Sequence, residues 1–282
     1  MDRLTIVLMV MLSLMILIAL PAHSNNKQTT GKHALNLITA NNPYDPARDK
    51  YRPVIGGVQI EVKVGALTSY YCTSSFASVY TSDGSRGIVT AGHCSDFETG
   101  HSVRQPRWFW NKIGEVYSVS MESDSGFVKK KSEIAVEGFI LNITFDQASS
   151  TYVGIKYPVV GYYSFDYIVE RWDYFKDNYL LYKTGRTTGT TSGHLTRYML
   201  TYTVPYAGTL EKVYLADIYV EAGDSGSPVY SLELDDPDEG YVIRTVGIIS
   251  GAIYDSSNNF VSSIIVSTSS VIENLGVSIV YG

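Results

Sequence analysis

From residue 54 to its C-terminus, the chain consists of short β-forming runs separated by turn-forming residues. Alternating or apolar runs, such as those at 54–62, 87–90 and 242–249, are bounded at close intervals by Gly, Asn, Asp and Ser. The 23 tyrosines favour strands, as do the many Val, Ile and Thr residues. Strands of this kind are buried in sandwiches or closed barrels, so the sequence predicts an all-β fold.

One short helix is predicted close to the C-terminus. Residues 270–273 read Ser-Val-Ile-Glu, which has the form of a capping box. Gly276 follows at a position that suits a helix end. We therefore expect a single helical turn or two between these residues.

The N-terminus carries a separate signal. Leu4 to Leu20 form an uncharged apolar run behind Arg3, and small residues at Ala22 and Ser24 suit a secretory cleavage site. We predict a signal peptide at 1–24, with a retained membrane anchor as the alternative. Residues 25–52 are rich in Asn, Thr and Pro and are predicted to be a linker or short pro-segment. Whether the apolar run is cleaved or retained as an anchor, we expect the rest of the chain to lie outside the cytoplasm.

Charge and cysteine content narrow the possible partners and compartments. The formal net charge is −6, and no basic stretch offers a nucleic-acid surface. The two cysteines, Cys72 and Cys94, fit one disulfide bond in an oxidising compartment, and two buried free thiols are the alternative. Their spacing excludes a CxxC-type metal site.

Two distant stretches carry the chemistry of a nucleophilic hydrolase. Residues 223–228 read Gly-Asp-Ser-Gly-Ser-Pro and present Ser225 between glycines, where the backbone can approach a substrate carbonyl. A serine nucleophile needs a base within hydrogen-bond reach and N–H donors for the oxyanion. The candidate base is His93, in the Thr-Ala-Gly-His-Cys stretch at 90–94.

These stretches resemble the TAxHC and GDSGGP motifs of the chymotrypsin-fold serine endopeptidases. Residues 185–189, Gly-Arg-Thr-Thr-Gly, are similar to a loop of the streptogrisin and α-lytic branch. The resemblance implies two six-stranded antiparallel β-barrels, placed at 53–160 and 161–282. It also implies a cleft with the histidine and an acid on the first barrel and the serine on the second. No metal or cofactor is implied.

The acid is assigned to Asp124. It stands 31 residues after His93 in Asp-Ser-Gly-Phe-Val, which resembles the branch pattern around the catalytic aspartate. Glu133 is the runner-up, because Glu-Ile-Ala-Val imitates the pattern of animal members; Asp96 and Asp146 are further candidates. An acid in this role holds one ring nitrogen protonated so that the other accepts the serine proton.

The resemblance implies further roles near the nucleophile. The N–H groups of Gly223 and Ser225 would form the oxyanion hole. Lys183 aligns with a basic residue that pairs with the buried Asp224, since a lone buried carboxylate is costly. Alternatively Lys183 is solvated, and either Arg186 or a newly cut N-terminus meets Asp224.

The same resemblance gives expectations for activation and substrate binding. Val54-Ile55-Gly56-Gly57 imitates the N-terminus released in animal relatives, but Pro53 disfavours specific cleavage there, so no such cut is expected. Ser250, Gly251 and Ala252 align with the strand that binds the substrate backbone. Tyr219 aligns with the pocket floor, which disfavours a preference for Arg or Lys and leaves an apolar or aromatic P1 residue.

These expectations combine into one functional prediction. The chain is expected to be a secreted, monomeric serine endopeptidase that cuts proteins or peptides, with no nucleic-acid partner and no membrane attachment unless the apolar run at 4–20 is retained. A catalytically inactive binding module and a secreted esterase are the alternatives. A sequon at Asn142 is a possible glycosylation site.

Overall fold

The computed structural model describes residues 46–146, 151–236 and 240–282. The predicted signal peptide at 1–24, and residues 25–45 of the predicted linker, lie outside the described residues. Within the described ranges, no helix is both long enough and apolar enough to span a membrane.

Strands dominate the described residues, as predicted. In chain order they are β1 (Val54–Gly56), β2 (Gln59–Lys63), β3 (Tyr70–Thr73), β4 (Ala77–Tyr80), β5 (Arg86–Ala91), β6 (Ser102–Arg104), β7 (Lys112–Ser120), β8 (Ser125–Lys130), β9 (Val136–Asp146), β10 (Thr151–Tyr162), β11 (Leu181–Gly185), β12 (Gly189–Gly193), β13 (Leu195–Val204), β14 (Gly208–Ala216), β15 (Pro228–Asp236), β16 (Gly240–Tyr254), β17 (Phe260–Ser267) and β18 (Val277–Ile279). The helices are α1 (Phe165–Glu170), α2 (Trp172–Asn178) and α3 (Thr268–Leu275), with 3-10 turns at Pro46–Arg48 and Gly92–Ser95.

The strands form two curled sheets. In the first, the order is β18-β4-β5-β8-β7-β6-β2-β3, all antiparallel. In the second, the path β1-β9-β10-β16-β15-β11-β12 continues from β16 through β17 to β14 and β13. Its parallel pairs, in the described residues, are β1 with β9 and β10 with β16. The predicted all-β, two-barrel architecture is confirmed.

Two strands connect the halves of the chain across the predicted boundary at 160/161. β10 pairs with β9 on one side, and its last residues pair with β16. β18, at the C-terminus, pairs with β4 of the first sheet. One edge strand of the first sheet therefore comes from a segment more than 190 residues away from β4.

A shared apolar core fixes the two sheets together. Val89 and Phe127 of the first sheet lie in one buried cluster with Val213, Ile248 and Val266 of the second. All five side chains are at most 1% exposed. Because packed interiors resist deformation, residues carried by the two sheets keep a fixed relative position.

The predicted C-terminal helix is present as α3, with one correction. Gly276 ends it in the left-handed conformation at φ 67°, as expected. The N-cap, however, is Ser267 and not Ser270: the Ser267 hydroxyl accepts a hydrogen bond from the Ser270 N–H, so the helix begins earlier than predicted.

Helices α1 and α2 were missed by the sequence analysis. Ser164 caps α1 by accepting a hydrogen bond from the Tyr167 N–H. The buried side chains Phe165, Ile168 and Phe175 face the second core cluster. Their spacing fits a helical face, but the many aromatic residues in this stretch equally favour a strand.

Candidate active site

The turn that carries Ser225 depends on its two glycines. Gly223 and Gly226 have φ values of 99° and 82°, a region that side-chain-bearing residues rarely adopt. The Gly226 N–H donates to the Ile249 carbonyl at 2.8 Å, which ties the turn to β16. The serine is therefore held on a rigid turn at the start of β15.

The opposite side of this turn lies against the first sheet. The Thr73 N–H donates to the Ser225 carbonyl at 2.9 Å. A Cβ atom on Gly226 would come within 2.8 Å of the Ala91 backbone nitrogen, so glycine is required there. Ala91 precedes His93 by two residues, and this contact brings the serine turn and the histidine turn together.

No hydrogen bond from the Ser225 hydroxyl to the His93 ring occurs among those of the described residues. Hydrogen bonds of this kind are commonly long in ligand-free enzymes and tighten when substrate binds. The N–H groups of Gly223 and Ser225 likewise donate no hydrogen bond within the described part of the chain.

His93 is oriented by Asp124. Its Nδ1 lies 2.8 Å from Asp124 Oδ2 and 3.1 Å from Oδ1, and its backbone N–H donates to Oδ1 at 2.9 Å. Asp124 is fully buried, whereas the His93 side chain is 26% exposed. Asp124 also has a left-handed φ of 36°, a strained value of the kind found at functional positions.

The other candidate acids lie elsewhere or do not bond to His93. Glu133 is an exposed residue that pairs with Lys131, and the Lys131 hydrogen bond is the main reason that its pKa is lowered to about 2. Asp96 is exposed. The side chain of Asp146 lies outside the described residues. Among the described carboxylates, Asp124 is therefore the one bonded to the imidazole.

Ser250 extends this network into the second sheet. Its hydroxyl donates to Asp124 Oδ2 at 2.6 Å. Because that bond uses the only hydroxyl hydrogen of Ser250, the Tyr206 hydroxyl must be the donor in its 3.0 Å bond with Ser250. The Tyr206 ring also packs edge-on against His93, with 5.2 Å between centroids.

Sequence reasoning placed Ser250 in the substrate-binding strand but did not anticipate its bond to Asp124, and it missed Tyr206 entirely. Tyr206 lies in the turn between β13 and β14, 44 residues from Ser250. Burial and the Asp124 charge raise the pKa of its hydroxyl, so it stays a neutral donor. A contact over such a distance leaves no local sequence signal.

The pKa of His93 determines the acid limit of any activity that needs its neutral form. Burial lowers this pKa, but the charge and hydrogen bond of Asp124, with the weaker charge of Asp96, outweigh burial and raise it above 6.5. We expect kcat/KM to fall as pH decreases through a value above 6.5, because protonated His93 cannot accept the serine proton. In Asp96→Asn, the pH at which kcat/KM falls should be lower than in the parent, because the charge that helps to raise the His93 pKa is removed.

The check is a pH–rate profile of both proteins on one peptide substrate. A parent acid limb at or below 6.5, or no movement in the variant, would contradict this account of the His93 environment.

Lys183 forms a buried ion pair with Asp224, the residue that precedes Ser225. Lys183 Nζ lies 3.2 Å from Asp224 Oδ2, and both side chains are 0% exposed. Asp224 also accepts hydrogen bonds from the Thr188 hydroxyl and the Thr187 N–H, at 2.6 and 2.9 Å. Burial acts to raise the pKa of Asp224, but Lys183 and these donors hold it below its usual range. The structure thus brings Lys183, as the alignment implied, to Asp224.

Arg186, the alternative partner, points elsewhere. Its Nε donates to Gln59 Oε1 at 2.9 Å, and its guanidinium lies over the Tyr71 ring. Val54 begins the stretch that imitates the released N-terminus of animal relatives. It is fully buried in β1, and its N–H donates to the Ala135 carbonyl. Asp224 is therefore neutralised here without a free N-terminus.

Ser227 replaces the glycine of the resembled motif, and Gly185 makes room for it. A Cβ atom on Gly185 would overlap the hydroxyl oxygen of Ser227 and a carboxylate oxygen of Asp224. The Ser227 hydroxyl is buried and makes no hydrogen bond within the described residues. The extra side chain is accommodated by a glycine on β11, at the cost of one unsatisfied hydroxyl.

The end of β16 is paired along one edge and free along the other. Residues 251–254 pair with β17 on one side. On the other edge, the pairing of β16 with β15 ends at Ile248, and the Ile249 N–H donates to the Ser227 carbonyl. Beyond that bond, no strand of the described residues pairs with this edge. An extended peptide can add here as a further strand.

Tyr219, the predicted pocket floor, is one of a group of aromatic residues. The ring centroid of Phe260 lies 5.2 Å from that of Tyr219 and 6.2 Å from that of Tyr254. The Tyr219 hydroxyl donates to Glu221 Oε1 at 2.6 Å, which raises the pKa of Tyr219 to about 12. Sequence reasoning missed Glu221, which places a carboxylate beside the aromatic group.

Two further predictions concern covalent chemistry. The Cys72–Cys94 disulfide is present and fixes β3 to the turn that carries His93. Asn142 is 3% exposed, and its side chain donates to the Tyr230 hydroxyl. The sequon in β9 is therefore inaccessible in the folded protein.

Within the described residues, no group of three His, Cys, Asp or Glu side chains is arranged to hold a metal ion.

Comparisons with known proteins agree on the fold. No protein-family model and no curated protein sequence matches the chain. Solved structures do: Thermobifida fusca protease A (22% identity, TM-score 0.56, covering 81% of this chain and 99% of that one) and Cellulomonas bogoriensis chymotrypsin (19%, 0.53, 81% and 99%). A glutamic acid specific serine protease is also similar (20%, 0.57, 80% and 100%). The described sheets, and the disulfide beside the histidine turn, lead to the same conclusion: the chain has the fold of the chymotrypsin-like serine proteases.

Proposed function

We propose that the protein is a serine endopeptidase in which Ser225 is the nucleophile, His93 the general base and Asp124 the orienting acid. The observation that carries this proposal is the His93–Asp124 hydrogen bond, located where the Ser225 turn meets the first sheet. A buried carboxylate bonded to one nitrogen of a partly exposed imidazole is the arrangement that general-base catalysis requires.

The reaction follows from these groups. The Ser225 oxygen bonds to the substrate carbonyl carbon while its proton moves to His93 Nε2. The resulting oxyanion accepts hydrogen bonds from the Gly223 and Ser225 N–H groups. The C–N bond then breaks, the amine takes the proton from His93, and an acyl-enzyme remains. Water then gives a proton to the same imidazole and attacks the acyl carbon. The C–O bond to Ser225 breaks, the serine oxygen takes the proton back from His93, and the carboxylic acid leaves.

Substrate selection is proposed to rest on the free edge of β16 and on the aromatic group beside it. Ser250, Gly251 and Ala252 would pair with the acyl half of the peptide. Tyr219 favours an apolar or aromatic P1 side chain, because an aromatic ring stands at the predicted pocket floor.

We further propose an extracellular enzyme that needs no cut before Val54. The disulfide and the apolar run at 4–20 support export. The pairing of Lys183 with Asp224 supports activity without a released N-terminus, because the buried carboxylate already has its cation.

Covalent labelling tests the proposal directly. A fluorophosphonate probe should label the parent protein, because its serine is activated, and should not label Ser225→Ala. The peptidase rate should fall in parallel by about 10⁶, as expected when a triad nucleophile is removed. A folded parent that neither labels nor cleaves peptides would instead indicate a binding module on a protease fold. Labelling with turnover of esters but not peptides would indicate an esterase.

A further inference from the structure

A loop next to the candidate active site exposes three consecutive aromatic side chains. This aromatic loop, residues 105–111, joins β6 to β7. Trp108, Phe109 and Trp110 are 61%, 81% and 75% exposed. Single exposed apolar residues are normal on a protein surface, but a contiguous group of large ones marks an interaction site.

Hydrogen bonds fix the base of the aromatic loop, and its two tryptophans stack on each other at the tip. Gln105 and Asn111 are buried at its two ends, and the Gln105 N–H donates to the Asn111 carbonyl at 3.0 Å. The Gln105 side chain donates to the Asp49 carbonyl at 2.6 Å. Trp108 and Trp110 stack with their rings 9° apart and 5.6 Å between centroids. A preorganised aromatic surface loses little conformational entropy when it binds.

Arginine side chains lie at the loop and beside it. Arg107 lies over the Tyr71 ring at 5.6 Å, and Arg104 lies over Phe109 at 5.7 Å. Arg104 is paired with Glu61. Arg107 and Arg52, by contrast, have no carboxylate partner among the described residues; Arg52 binds the side chain and carbonyl of Gln105. In a chain whose net charge is −6, this is a local positive surface.

The surface is continuous with the nucleophile turn through β3. Tyr71 stands two residues before Thr73, whose N–H bonds to the Ser225 carbonyl. Two strand residues span roughly 7 Å and place both side chains on the same face. β16 bonds to the same turn through Gly226, so β16 and β3 hold it from different sides. If the acyl half of a peptide pairs with β16, its leaving half extends toward β3 and the aromatic loop.

We infer that the aromatic loop, with Tyr71 and Arg107, is a binding surface for the leaving-group half of the substrate, and that it selects segments that carry acidic and aromatic residues after the cleaved bond. Carboxylates suit the unpaired guanidinium groups, and aromatic side chains suit the stacked tryptophans. At about 3.3 Å per residue, the third to fifth residues after the bond are the ones that reach Arg107 and the tip. The inference rests on the proposed peptidase function.

The test uses peptides that are identical up to the second residue after the cleaved bond and then continue as Asp-Phe-Asp, Ser-Ser-Ser or Lys-Phe-Lys. Rates are expressed per active site titrated with the fluorophosphonate probe. We expect kcat/KM of the parent to be about tenfold higher for the acidic peptide than for the basic one, which corresponds to about 1.4 kcal/mol. Higher salt should reduce this ratio.

Charge reversal is the decisive variant. Arg107→Glu should invert the ratio in favour of the basic peptide, and Trp110→Ser should reduce the advantage of the acidic-aromatic peptide over Ser-Ser-Ser. The matched control is Arg171→Glu, which reverses the charge of a guanidinium that lies over the exposed Tyr167 ring on α1. It should keep the parent ratio.

Two outcomes would overturn the inference while the peptidase proposal survives. One is a parent that cleaves a short substrate without leaving-side residues but does not discriminate among the three peptides. The other is Trp110-dependent sedimentation with phosphatidylserine vesicles and no peptide discrimination, which would assign the surface to a membrane. Failure to cleave even the short substrate would instead contradict the proposed function.

Discussion

Asp124→Asn is expected to reduce kcat by about 10⁴ while leaving the fold intact. The Asp124 carboxylate accepts from His93 Nδ1, from the His93 N–H and from the Ser250 hydroxyl. An amide in its place presents an NH₂ group that cannot accept from Nδ1–H. The imidazole would then hold its proton on Nε2, the nitrogen proposed to take the serine proton, and its ability to act as the base would be lost.

The measurement is steady-state hydrolysis of a peptide substrate, with circular dichroism as a check of folding. Glu133→Gln is the matched control, because Glu133 is an exposed carboxylate paired with Lys131 on the protein surface. It should retain parent turnover. Near-parent turnover in Asp124→Asn, together with loss in Glu133→Gln, would reverse the assignment of the acid.

Lys183→Met is expected to destabilise the protein by about 3–5 kcal/mol, because it leaves the fully buried Asp224 charge without its cation. Lys183 Nζ also donates to the Gly189 carbonyl and the Thr188 hydroxyl, so the variant loses several bonds in one place. Activity should fall as well, since Asp224 precedes Ser225, the proposed nucleophile. Urea unfolding, monitored by tryptophan fluorescence, measures the effect.

The control is Lys129→Met, which removes the exposed ion pair with Asp83, where less than about 1 kcal/mol is expected. The loss in Lys183→Met should also depend on pH. The pKa of Asp224 is lowered in the folded protein, so its stabilising contribution is present above the pKa of the unfolded chain, about 3.9, and is lost as pH falls through the folded value. Equal stability of Lys183→Met and parent near neutral pH would show that the pair does not stabilise the fold.

Short sequence patterns predicted the features that depend on backbone preference and on the spacing of apolar residues. The strands around 87–90 and 242–249, the helix end at Gly276 and the glycine-dependent turn at Ser225 all follow from backbone preference and periodicity. The Cys72–Cys94 bond followed from there being only two cysteines. The helices α1 and α2 were missed, because their aromatic residues suit a strand as well as a helix and only burial against the second core decides between them.

Contacts between distant residues could not be obtained in this way. Ser250 bonds to Asp124 across 126 residues, and Tyr206 reaches both Ser250 and the His93 ring from a hairpin turn. Gly185 makes space for Ser227 from another strand. Each of these contacts depends on how the two curled sheets pack, and no spacing along the chain records that packing.

The sequence by itself determined which residues are candidates for the site, because a serine between glycines and a histidine next to a cysteine can be recognised within a short stretch of chain. The tertiary structure decided between alternatives that the sequence left open, because Asp124 and not Glu133 bonds to His93, and Lys183 and not Arg186 pairs with Asp224. It alone brought Arg107 of the aromatic loop over Tyr71 of β3. The physical reason is that a buried charge or hydroxyl must find its partner in space. That partner is supplied by whichever strand the packed core brings near, however far away it lies in the chain.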